Sequence, residues 1–165
     1  MPMKDALDTA LAMEIEGKRI YESVARETKN DVVRKVFEYL ASEEVKHISK
    51  IREFSNGKVT DAKKGLTKDA LMDAKKRLHH ILEPLRKDIH PDLTDEGAYQ
   101  KAMELERRGH DFYQNQSEVL TEREVREFFE ILASQENAHY ELLERSLKFL
   151  QHPSQWYENE EGWFL

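Results

Sequence analysis

The chain repeats itself. Shifted by 92 residues without a gap, the window 12–47 superposes on 104–139 with 12 identities in 36 positions. The matched pairs include Glu14/Glu106, Gly17/Gly109, Tyr21/Tyr113, Phe37/Phe129, Leu40/Leu132, Glu44/Glu136 and His47/His139. The clearest stretch is LASEEVKH at 40–47 against LASQENAH at 132–139. Two copies of one unit in one chain predict two similar halves related by a pseudo-twofold axis, and a site on that axis would be symmetric.

Each half reads as a helical hairpin. Apolar residues recur at steps of three and four, the mark of a helix with one stripe turned to a core. In the first segment, about 4–28, the stripe is Leu7, Ala10, Glu14, Gly17, Tyr21 and Val24. In the second, about 31–55, it is Val33, Phe37, Leu40, Glu44, His47, Ile51 and Phe54, closed by Asn56-Gly57 as a helix stop. The third, about 95–119, runs Tyr99, Ala102, Glu106, Gly109, Tyr113, Gln116 and Leu120 after an N-terminal signal of Thr94, Asp95 and Glu96. The fourth, about 122–151, runs Val125, Phe129, Leu132, Glu136, His139, Leu143 and Leu150, with Thr121 and Glu124 as a capping box and His152-Pro153 as its stop. Only 6 Gly and 4 Pro in 165 residues leave little material for the turns of a β fold.

The expected architecture is an all-α four-helix bundle over 1–151, with a long crossover, about 56–93, between the second and third helices. Within the crossover, 67–88 reads as a helix capped by Thr67 and kinked or shortened by Pro84. Residues 86–92 read as a polar loop. The segment 152–165 is an aromatic tail whose Trp156, Tyr157, Trp163 and Phe164 should pack back on the bundle or cover a partner, most simply a second copy in a homodimer.

Composition removes several functions. No cysteine means no disulfide, zinc ribbon, iron–sulfur cluster or thiol nucleophile within the chain. A net charge of −7 argues against nucleic acid or an anionic membrane as a partner held by bulk charge. No run of about 18 uncharged apolar residues occurs, and Asp5, Asp8 and Glu14 lie where a secretory signal would be apolar, so a cytoplasmic protein is expected.

Chemistry enters through acids on core stripes. Glu-x-x-His sets a carboxylate and an imidazole one turn apart on the same helix face. With 23 Glu and 7 His in the chain, composition alone would produce roughly one such pair. Two occur, Glu44/His47 and Glu136/His139, at matching places in both repeats, each with a Glu 30 residues upstream at Glu14 and Glu106. Four carboxylates facing one another in a dry bundle repel and lose solvation unless cations compensate them. Four Glu and two His suit two divalent ions with shared bridging carboxylates, iron or manganese first, with zinc able to fill the site by affinity. Glu16, Glu43 and Glu104 read as solvated or outer groups. His79, His80, His90, His110 and His152 lack repeat partners and read as surface.

The pattern of Glu on the first and third helices and Glu-x-x-His on the second and fourth resembles the rubrerythrin-related branch of the ferritin-like di-iron carboxylate proteins, over about 4–151. The resemblance implies Glu14 and Glu106 as terminal ligands, Glu44 and Glu136 as bridges, and His47 and His139 as the nitrogen ligand of each of two irons. It further implies Tyr21 and Tyr113 as tyrosines that hydrogen-bond ligating carboxylates. The activity it implies is reduction of hydrogen peroxide or dioxygen, with a ferroxidase or a purely metal-binding bundle as the alternatives. Three features depart from relatives. A cysteine-bearing rubredoxin module is absent, so electrons should come from an external donor protein. Gly109 stands where rubrerythrins carry an extra Glu three residues after the third-helix ligand. Val45 stands where bacterioferritins place a haem-ligating Met, so no haem is expected.

Overall fold

In the computed structural model of the chain, which describes residues 2–66, 69–85 and 90–160, the described residues form helices and connecting turns with no strand. The helices are α1 (Met3–Glu27), α2 (Asp31–Ser55), α3 (Val59–Lys63), α4 (Ala70–Leu82), α5 (Glu96–Val119), α6 (Arg123–Gln151) and α7 (Pro153–Glu160). Helix α1 pairs most extensively with α2 and α5 with α6, so each sequence repeat is an antiparallel hairpin closed by a short connection. The short helices α3 and α4 make up the crossover, α3 against α2 and α4 against α6.

Helix ends follow local chemistry. Asn30 caps α2, its Oδ1 accepting from the amides of Val32 (2.9 Å) and Val33 (3.1 Å). The same side chain donates to Asp92 (2.8 Å) and Thr28 donates to Asp95 (2.8 Å), which ties the α1–α2 turn to the end of the crossover. At the other end of α2, Gly57 takes φ of +83°. Its amide donates to the Phe54 carbonyl and that of Lys58 to the Glu53 carbonyl, the pair of bonds that closes a helix through a left-handed residue.

Three sequence expectations about helix ends are corrected. Thr121 and Glu124 form no capping box, because α6 begins at Arg123 after Glu122 with no side-chain cap. The carboxylate of Glu124 is instead drawn to Lys63 on α3. Asp95 likewise leaves the start of α5 uncapped while it accepts from Thr28. The crossover helix is shorter than 67–88 and is capped by Asp69, which accepts from the Met72 amide at 3.1 Å. It gives way to a 3₁₀ turn at Glu83–Leu85, where Pro84 has no N–H to continue the ladder. Thr67, residues 86–89 and the tail's Trp163 and Phe164 lie outside the described residues.

The bundle has two apolar clusters, one toward each end. The first gathers Phe37, Tyr21, Tyr99, Leu142 and Phe149; the second gathers Phe54, Phe128, Phe129, Tyr113 and Leu132. Repeat symmetry runs through both: the Tyr21–Phe37 ring pair at 5.7 Å in one has its counterpart in Tyr113–Phe129 at 5.5 Å in the other. Trp156 on α7 is buried edge-on against Phe149 at 5.8 Å, so the described part of the tail folds back on its own bundle. A polar layer lies between the two clusters.

Candidate metal centre

Four helices converge on that layer. Glu14 from α1, Glu44 and His47 from α2, Glu106 from α5, and Glu136 and His139 from α6 are all buried, none more than 4% exposed. Ligand atoms of Glu14, Glu44, His47 and Glu136 lie within 4.8 Å of one another, and so do those of Glu44, Glu106, Glu136 and His139. The two groups share Glu44 and Glu136. Such an overlap could hold two cations side by side, each with its own Glu and His and a common pair of carboxylates.

The two tyrosines reach across the bundle. Tyr21 on α1 donates to Glu106 Oε1 at 2.9 Å, and Tyr113 on α5 donates to Glu14 Oε1 at 2.7 Å. Each hairpin thus fixes the carboxylate of the other, leaving the second oxygen to face the cluster. The imidazole rings of His47 and His139 stack with centroids 5.6 Å apart. Nδ1 of His47 lies 3.3 Å from Glu14 Oε2, and Nδ1 of His139 lies 3.6 Å from Glu106 Oε1.

Glycine makes room here. A Cβ on Gly17 would stand 3.3 Å from Glu44 Oε2, and one on Gly109 3.1 Å from Glu136 Oε2. Each glycine opposes a carboxylate common to both groups, so the repeated Gly is a cradle for a side chain rather than a close approach of two backbones. Beside it a cleft of about 460 Å³, lined by Ala12, Met13, Leu105 and Arg108, reaches Glu14, Glu44 and Glu136 from the α1–α5 face.

Electrostatics shows what the cluster demands. Burial pushes Glu44 and Glu136 well above the usual carboxylate range, and the charges of Glu14 and Glu106 push further in the same direction. Burial also raises Glu106, to about 7, despite the hydrogen bond from Tyr21. Glu14 goes the other way: burial opposes its charge, but His47 beside it and its hydrogen bonds hold it well below the ordinary value. Burial works against the His47 cation as well, yet Glu14 and Glu136 hold its proton well above the ordinary range. Protons and divalent cations therefore compete for the same oxygens. Two hydrogen-bonding atoms of the layer, Glu106 Oε2 and His139 Nδ1, have no hydrogen-bond partner. Buried polar atoms without partners are rare and costly, and here both face the carboxylate cluster. A donor set of four carboxylates and two imidazoles fits hard-to-borderline cations such as iron or manganese.

The remaining sequence candidates fall outside the layer. Glu16 and Glu104 are exposed and paired with Arg19 and Arg107, the latter pair at 2.6 Å. Helix α5 is regular through Glu104, with no bulge that would turn it inward. His79, His80, His90 and His152 are exposed and His110 is half-buried. Two residues stand behind the histidines. Nε2 of His47 donates to Gln135 Oε1 at 2.6 Å, and Nε2 of His139 donates to Glu43 Oε1 at 3.4 Å. Glu43 is among the acids that read as solvated or outer groups and takes the outer role, whereas Gln135 belongs to no sequence motif. Their one signal was a shared position in the repeat, directly before each Glu-x-x-His.

Fold and site together define an all-α, ferritin-like bundle with a buried carboxylate and histidine cluster able to hold metal. The match is wider than the site. The rubrerythrin family model covers residues 5–147, and the chain belongs to that family. The family and the buried cluster together suggest a di-iron site. No curated protein and no solved structure matches the chain. Among the described residues no helix is long and apolar enough to cross a membrane.

Proposed function

We propose that this chain is a di-iron oxidoreductase that reduces hydrogen peroxide or dioxygen with electrons from an external donor protein. The observation that carries the reading is the pair of ligand groups sharing Glu44 and Glu136 at the floor of an open cleft. Six residues have defined tasks in it. Glu14 with His47 and Glu106 with His139 each complete one position, and Glu44 and Glu136 span both. Four carboxylates offset the charge of two divalent cations, which makes the burial of all six groups tolerable. Two irons in this cluster would supply one electron each, matching the two that peroxide takes up with two protons to give two waters.

The protein's part is to hold and to admit. Tyr21 and Tyr113 pin one oxygen of Glu106 and of Glu14, so the other oxygen points inward with little freedom to lose. Gly17 and Gly109 keep the α1–α5 face open beside the bridging carboxylates, where a small oxidant arrives through the cleft. The apolar walls of Ala12, Met13 and Leu105 limit water there. These 165 residues hold no cysteine, so they form no rubredoxin-type site to relay electrons.

The test is anaerobic loading with Fe(II), followed by stopped-flow mixing with peroxide or with oxygen. The reading expects near-ultraviolet ferric absorption to grow with one peroxide consumed per two irons, and steady turnover on adding a reduced small redox protein. A ferroxidase would instead keep consuming added Fe(II) and accumulate ferric mineral without needing a donor. A protein that binds two metals and oxidises neither would refute both.

A further inference from the structure

The repeat makes the two halves of the cluster near copies, and the residues behind the two histidines break that symmetry. Gln135 and Glu43 are repeat mates, 92 positions apart, and each accepts a hydrogen bond from Nε2 of the histidine in the opposite hairpin. Behind His47 the acceptor is a neutral amide. Behind His139 it is a carboxylate.

The difference extends beyond one position. Glu43 also accepts from the Tyr39 hydroxyl at 3.2 Å and pairs with Lys46 at 3.0 Å. The repeat mates of Tyr39 and Lys46 are Ile131 and Ala138, whose side chains can donate nothing. One half therefore carries an anion with donors that hold it in place, and the other half has a neutral amide at the matching position. Lys46 offsets part of the charge, but its side chain is 42% exposed and water screens it, whereas that of Glu43 is 12% exposed. Ring orientation is served on both sides. The shorter Gln135 contact holds His47 at least as firmly, so charge rather than position distinguishes the halves. A carboxylate behind a metal-bound histidine raises the basicity of the ring nitrogen that faces the metal, and removing such partners typically costs 10–100-fold in affinity.

We propose that Glu43 and Gln135 are positioning residues that make the two metal positions inequivalent: the cation on the Glu106/His139 side is held more tightly than the one on the Glu14/His47 side and loads first. The proposal rests on the di-metal reading above and adds an order to it.

Anaerobic titration of the metal-free 165-residue chain with Co²⁺, followed by ligand-field absorption and by heat, tests it. Repulsion between two cations separates the binding steps even in a symmetric site, so the decisive comparison is between variants. Glu43→Gln keeps an acceptor behind His139 and removes only its charge, so it should weaken the tighter step toward the lower end of about 10–100-fold and leave the looser one nearly unchanged. Gln135→Glu should tighten the looser step, a gain that a misfolded variant cannot mimic. Melting of the metal-free variants reports any general damage. Two Co²⁺ per chain with both steps unmoved by Glu43→Gln, or weakened equally, would overturn the proposal while leaving the di-metal reading intact. Fewer than two Co²⁺ in the wild type would overturn the reading itself.

Discussion

Gly109→Ala separates what the bundle wants from what the metal site wants. In a helix interior, Ala in place of Gly contributes about 1 kcal/mol through backbone entropy. Against that stands the new Cβ, 3.1 Å from Glu136 Oε2 and 3.2 Å from its Cδ, so the carboxylate must retreat by a few tenths of an ångström. In the metal-free protein Glu136 is held by hydrogen bonds and protons and can give way. The net gain should therefore lie between zero and about 1 kcal/mol, a rise of at most about 4 °C for a chain of this size. If Glu136 holds two cations, the same retreat would pull its carboxylate away from both. A tenfold loss of affinity removes about 1.4 kcal/mol of ligand stabilisation, about 3–6 °C. Calorimetry of both forms should thus show the metal-free variant unchanged or raised and its metal-induced increment reduced. Gly17→Ala should behave alike but more mildly, since its Cβ would stand 3.3 Å from Glu44 Oε2. A metal-free Gly109→Ala protein that melts well below wild type, or a variant that keeps the full metal increment, would refute the idea that this glycine cradles a bridging carboxylate.

Further expectations follow from the same layer and its surroundings. Glu106 is raised by burial from 4.5 to about 7 in the folded metal-free chain, so the folded state binds its proton more tightly than the unfolded one. That contribution is complete below pH 4.5 and fades as pH climbs through about 7, so the metal-free protein should lose stability across this window, by at most roughly 3–4 kcal/mol from this group, and melt lower. The raised Glu44, Glu136 and His47 carry the decline to higher pH. Metal-loaded protein, whose carboxylates are ionised throughout, should not decline there. Tyr113→Phe strips the donor from Glu14, which the fold keeps ionised, and should cost about 1.5–3 kcal/mol in denaturant unfolding; Tyr21→Phe, facing the more readily protonated Glu106, should cost less. Trp156→Ala should destabilise by about 3 kcal/mol or more, because the indole is buried against Phe149, and an unchanged melting temperature would show that α7 contributes nothing to the bundle.

What the sequence could and could not reveal divides by range. Stripe periodicity places Val33, Phe37, Leu40, Glu44, His47, Ile51 and Phe54 on one face without any knowledge of the partner helices, and all seven are buried. Repeat symmetry then brings the second Glu-x-x-His opposite the first. Facts that depend on which side chain comes from across the bundle were out of reach. Gly17 and Gly109 repeat in the sequence with no sign of what lies opposite them, and only the packed structure shows a carboxylate filling each space. Gln135 belongs to no local motif, and its contact with His47 spans 88 residues. Competition decided the helix ends: Thr121 and Glu124 have the spacing of a capping box, but Lys63 on the crossover offers Glu124 a full charge in place of a backbone amide.

The central claim is that Glu44 and Glu136 are common to two cations, and metal content measured on variants tests it most directly. Protein reconstituted anaerobically with Fe(II), desalted and assayed for iron per chain should hold two in the wild type. Glu44→Ala and Glu136→Ala should each lose both, or hold both weakly, because either residue serves both positions. His47→Ala and His139→Ala should each lose mainly one. Loss of a single iron with the second fully retained, in either bridging variant, would contradict the account.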